Sequence, residues 1–106
     1  MSDPFLTAAA AILEKIGVLA TFTPASGDPV TGIYVDYTHE AVVQGSDAGS
    51  LQIEPTITYL KSDLGRRAVY GESFTITDED SPVNGSTFTV CETESDDAYT
   101  ATVTVK

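Results

Sequence analysis

Phe5, Leu6, Ala9, Ile12, Leu13 and Ile16 recur at three- and four-residue steps near the start of the chain. On a helix of 3.6 residues per turn this spacing draws one apolar stripe. Asp3 offers a capping oxygen, and Pro4 sits where a missing N–H costs nothing. A helix is therefore predicted over residues 3–16, with Glu14 and Lys15 off the stripe. Gly17 is read as the residue that ends it in a left-handed conformation. Beyond Gly17 the period falls to two. Val18, Ala20 and Phe22 alternate with Leu19, Thr21 and Thr23, and Ile33, Val35 and Tyr37 alternate with Tyr34 and Asp36. The same alternation marks Leu51, Ile53, Ile57 and Tyr59, then Phe74 and Ile76, Phe88 and Val90, and finally Tyr99, Ala101, Val103 and Val105. Pro55 interrupts the third of these segments and predicts a sheet edge or a bulge there. Residues 68–70 read as a short strand or a turn.

Six or so strands, each apolar on one face and threonine-rich on the other, imply antiparallel sheets with one buried side. The segments lie too close together for crossover helices, which excludes a parallel α/β sheet. The predicted fold is mainly β: a small antiparallel barrel or sandwich with the helix on one flank or opening. Residues 1–106 form one domain, with the helix at 3–16 and the β body at 18–106. Two stretches resist the strand pattern. Residues 38–50, with Gly45 and Gly49, read as a long loop of functional or mobile character. Residues 78–85, three acids followed by Pro82 and Asn84-Gly85, read as a hairpin tip.

Composition supports this class, since 31 of 106 residues are Thr, Val or Ile, the β-branched types that fit a pleated surface. The formal net charge is −11, from 16 acids against 5 bases. A chain so poor in Lys and Arg repels phosphate backbones, so no specific nucleic-acid binding is expected. The longest apolar run, Ala8 to Leu13, is too short to span a bilayer, and no cationic region precedes it as in a secretory signal. A soluble, non-secreted domain is expected.

Candidate chemistry is sparse. Asp78, Glu79 and Asp80, like Asp96 and Asp97, sit side by side in turn-like sequence. Acid–base catalysis needs two carboxyls facing each other across a cleft, with one of them perturbed. Asp78, Asp80 and Asn84 approach the start of a calcium loop, but Pro82 stands at a ligand position and no closing Glu follows. His39 is the only imidazole and Cys91 the only thiol, so neither a transition-metal site nor a disulfide framework is expected. No Gly-x-Ser-x-Gly elbow surrounds a serine. Arg66-Arg67, with Lys61 nearby, reads as an answer to neighbouring acids or to an acidic subunit. An interaction or structural role is expected, with no enzymatic activity and no cofactor.

The chain resembles the small head–tail joining (attachment) proteins of lambda-like phages and prophages. The likeness runs through the Ala-rich helix ending in Ile16-Gly17-Val18, the segment Ala20-Thr21-Phe22-Thr23-Pro24 and the turn Ser26-Gly27-Asp28-Pro29-Val30. It continues in the stretch from Pro55 to Leu64, in Gly71-Glu72-Ser73-Phe74-Thr75-Ile76 and in Asn84 to Val90. The longer tip at 78–83 and Arg66-Arg67 depart from that pattern. The resemblance implies a structural virion component, assembled in the host cytoplasm and sited at the head–tail junction. It implies a monomer when free and a homo-oligomeric ring, six-fold, once assembled. The partners implied are the head connector or portal and a tail-tube or tail-terminator protein. The N-terminal segment and the mid-chain loop are expected to be flexible beforehand and to make contacts afterwards. Candidate interface residues are Phe5, Leu6, His39, Glu40, Val42, Val43, Gln44, Arg66, Arg67, Asp78, Glu79 and Asp80. The competing readings are a tail terminator and a non-phage ligand- or calcium-binding β domain.

Overall fold

The computed structural model describes residues 4–44 and 51–106. The predicted helix is α1, Pro4–Ile16. Six strands follow: β1 Val18–Thr23, β2 Val30–Gln44, β3 Leu51–Leu60, β4 Ser73–Ile76, β5 Thr87–Asp96 and β6 Thr100–Val105. A short helix, α2, spans Lys61–Leu64 between β3 and β4. Residues 68–70 form no strand and belong to the linker that follows α2. Every strand pair is antiparallel, and the order β1-β2-β3-β6-β5-β4 closes into a barrel. Closure leaves no open sheet edge around the body.

The apolar positions of the alternation point inward. Phe22, Val35, Ile57, Tyr59, Phe74, Ile76, Val90 and Val103 are all essentially inaccessible to solvent. Phe74 sits at the centre of an aromatic group, with ring centroids 5.1 Å from Phe22 and 5.5 Å from Tyr59. Tyr59 meets the polar demand of its buried hydroxyl by accepting the Ala68 N–H at 2.8 Å. Threonines pair across strands, Thr58 with Thr102 at 2.6 Å and Thr75 with Thr87 at 2.9 Å between hydroxyl oxygens.

Two irregularities shape β2. Opposite Ala20 and Phe22 the strand carries one extra residue, where Gly32 takes φ +69°, a bulge conformation suited to glycine. A second extra residue falls between Thr38 and Ala41, opposite Pro55. Pro55 has no N–H to give to the ladder, so the predicted bulge forms there, with the surplus residue on the facing strand. β3 as a whole is an interior strand of the barrel, paired with β6 from Thr56 to Leu60.

Gly17 departs from the expected reason for its presence. Its φ is not positive, unlike that of Gly27, Gly32, Gly65, Gly71 and Gly85. Its role is close approach: a Cβ here would lie 2.5 Å from the Leu13 carbonyl oxygen and 2.6 Å from that of Val35. The Gly17 N–H also donates to Leu13 O at 2.7 Å and closes the helix against the barrel. Gly17→Ala is expected to destabilise the fold by about 2 kcal/mol, the scale of overpacking against unyielding atoms. Urea unfolding of the two chains measures it.

The topology gives the barrel two unlike ends. At one, the chain enters β1 from α1, β2 runs out and β3 returns, β4 turns into β5 over residues 77–86, and β6 ends. At the other lie the β1–β2 turn, the β5–β6 turn and the long β3–β4 connection through α2. That connection closes its end, since Ala68 is buried and Leu64 packs on the core.

Candidate functional site

At the closed end, opposite charges are gathered around Glu72. This side chain is 1% exposed and its carboxylate is fully occupied. Oε1 accepts Arg66 Nη1 at 2.8 Å and the Val69 N–H at 2.8 Å; Oε2 accepts Arg66 Nη2 at 2.5 Å and the Ala25 N–H at 3.1 Å. The forked guanidinium, aided by the two backbone donors, outweighs burial and holds the Glu72 carboxyl down to about 2. Arg66 also lies 5.8 Å from the centroid of Phe22. Beside this knot, Asp96 receives Lys61 at 2.5 Å and Arg67 at 3.0 Å, which lower its carboxyl, the Lys61 hydrogen bond foremost. Lys61 also donates to the Asp97 carbonyl. The Asp97 side chain caps the β5–β6 turn by accepting the N–H groups of Thr100 at 2.8 Å and Tyr99 at 2.9 Å, which lower its carboxyl. These carboxylates are consumed by the fold and face no cleft.

The other end offers surface. Ala41–Gln44 of β2 pair only with Leu51–Glu54 of β3, because β1 covers β2 no further than Val35 and β6 covers β3 no further than Thr56. These eight residues form a two-stranded arm projecting beyond the barrel, and Ile53 on it is 68% exposed. Helix α1 contacts β2 and β3. It buries Leu13 and half-buries Leu6, Ala9 and Ala10, while Phe5, Ile12 and Ile16 remain 71%, 57% and 60% exposed. Steps of seven and four residues put those three on one line along the helix, so the stripe is only half used within the chain.

A family model described as Phage Head-Tail Attachment protein matches residues 1–106. The chain belongs to this family. Membership makes the chain a structural virion component that joins phage head to tail, with head and tail components as partners. Comparison with curated protein sequences found no match. No helix among the described residues is long and apolar enough to cross a membrane. Among them, too, no three His, Cys, Asp or Glu side chains converge to hold a metal.

The fold distributes the residues anticipated from sequence over both ends. Phe5 and Leu6 are on α1, Phe5 outward and Leu6 half-covered. His39 and Glu40 are exposed at the β2 bulge, where His39 Nδ1 and the Tyr37 hydroxyl are hydrogen-bonded at 2.9 Å. Val42, Val43 and Gln44 lie opposite Ile53, Gln52 and Leu51 on the arm. The expected loop over 38–50 is thus corrected as far as Gln44, which is strand; residues 45–50 lie outside the described residues, as does Asp3. Asp78, Glu79 and Asp80 occupy the 77–86 connection on the arm side. Asp78 is partly structural, taking the Leu19 N–H at 3.2 Å and the Asp80 N–H at 3.0 Å, while Glu79 and Asp80 are exposed. Arg66 and Arg67 are brought together at the closed end, both engaged within the chain. Glu72, α2 and the half-exposed helix ridge escaped sequence reasoning.

Proposed function

We propose that this chain is a ring-forming adaptor. Copies assemble, six-fold, on the head connector or portal and receive the preformed tail. The observation that carries this reading is the arm: two short strands whose outer edges meet no other strand among the described residues. Such edges present backbone donors and acceptors to a neighbouring chain, and β-strand addition is a common way to use them. The exposed ridge of Phe5, Ile12 and Ile16 adds an apolar contact of the kind that helix-in-groove docking employs. A net charge of −11 on every copy opposes association in solution. Free monomers in the host cytoplasm and a ring formed only on the connector follow from that repulsion. The same acidity lets DNA pass the ring without adhering.

The test is completion in a lysate of a phage lacking its attachment protein. Adding the purified chain is expected to raise infectious particles by several orders of magnitude and to place ring density between portal and tail in electron micrographs. Restored tail length with heads still tailless would instead mark a tail terminator and overturn the adaptor reading.

A further inference from the structure

Where the arm leaves the barrel, Val18, Tyr37, His39, Ser81, Pro82 and Val83 line an open groove of about 500 Å³. That size falls within the range of specific binding clefts. Its walls are seated on the body: Val18, Tyr37 and Val83 pack against the core, and the Tyr37 ring stacks on Phe88 with centroids 4.6 Å apart. The floor is apolar; no carboxylate lines it, but acids adjoin the lining residues along the chain on both sides. Glu40 follows His39 in the β2 bulge, and Asp78, Glu79 and Asp80 lead directly into Ser81. The Asp78 carboxylate is anchored on the Leu19 N–H, next to Val18 in the floor. No Lys or Arg lines the groove.

We propose that this groove takes a short segment of another virion protein, one with an apolar or aromatic anchor flanked by Lys or Arg. The charge pattern opposes a second copy as occupant. Of the chain's five cations, Lys61 and Arg67 are engaged on Asp96 and Arg66 on Glu72 at the opposite end of the barrel, which leaves only Lys15, next to Glu14, and Lys106 exposed at the groove's end. A like chain would bring carboxylates to carboxylates, and such juxtaposition penalises the wrong partner. The anchor fills the Val18–Val83 floor, and the flanking cations meet Glu40 on one side and Glu79 and Asp80 on the other. Assigning the segment to the virion rests on the adaptor reading; the groove's chemical preference does not.

The experiment titrates the full chain, isotope-labelled, with the peptides KKLFKK and EELFEE, followed by amide NMR. KKLFKK is expected to shift residues 37–39 and 81–84 saturably, with affinity falling about tenfold between low and moderate salt, and EELFEE to shift none of them. Glu79→Lys with Asp80→Lys, both at exposed positions, is expected to weaken KKLFKK about tenfold without moving the melting temperature. Val83→Glu removes the apolar seat and is expected to weaken it as much again. Equal binding of both peptides, non-saturating shifts spread over all acidic residues, or unchanged affinity in the doubly substituted chain would overturn the proposal. Those results would leave completion by the unaltered chain intact, whereas failure of completion would strike the adaptor reading alone.

Discussion

Replacing Glu72 by alanine is expected to lower the unfolding free energy by about 3 kcal/mol at neutral pH, the scale of breaking a buried ion pair from one side. The substitution removes the buried acceptor of the Ala25 and Val69 N–H groups and of the half-exposed Arg66 guanidinium. It also releases three parts of the closed end from one another: the β1–β2 turn, the linker after α2 and the start of β4. Glu72→Gln keeps the shape and removes the charge, and it isolates the pH dependence. The Glu72 carboxyl lies near 4.5 when unfolded and is held down to about 2 in the fold. The unfolded state therefore binds the proton first as pH falls, so this contribution is whole above pH 4.5. It is lost progressively as pH falls from there to about 2, amounting to about 3 kcal/mol in all. Urea titrations of the wild type and Glu72→Gln at pH 7, 4.5 and 2 should show a gap that is nearly constant between the first two and vanishes at the last. A gap unchanged at pH 2 would contradict the ion-pair account.

Excising the arm is expected to abolish tail joining while sparing the barrel. Among the described side chains, none between Tyr37 and Ile57 belongs to the core cluster, and β3 meets β6 only from Thr56 onward. Replacing residues 41–54 with an Asn-Gly turn should therefore move the melting temperature by only a few degrees, roughly the shift from 1 kcal/mol in a domain of this size. Particle completion in the deficient lysate should fall to background. Full completion by the shortened chain would remove the arm from the joining surface.

The contrast between arm and barrel also explains what the sequence made legible. β1, β4 and β6 were plain because one face of each strand is buried and burial imposes alternation, as in Phe74-Thr75-Ile76 and Ala101-Thr102-Val103, whereas β5 was legible only up to Cys91, its exposed half Glu92–Asp96 carrying no such signal. The arm is paired on one edge only, beyond the reach of β1 and β6. Glu40-Ala41-Val42-Val43-Gln44 carries β-branched residues without a period of two and reads as loop, although the backbone is paired. The helix was legible from its stripe, but a stripe does not reveal how much of itself the body covers. The geometry hid Leu13 and left Ile12 and Ile16 outside. Glu72 was out of reach for a different reason. Its partners come from Ala25, Arg66 and Val69, and only closure of the barrel brings the first of these beside the others. The acids at 78–80 were correctly placed at a hairpin tip, but the use of Asp78 to hold Leu19 depends on β1 and β4 being neighbours.

The two ends of the barrel differ in kind. One is sealed by a linker anchored through buried Ala68 and by internally paired charges, while the helix, arm, groove and acidic tip all emerge at the other. In a closed rotational array every subunit points the same way, so its two rims display unlike chemistry without any change of sequence. In the proposed ring, a single gene product would thereby acquire the directionality needed between head and tail.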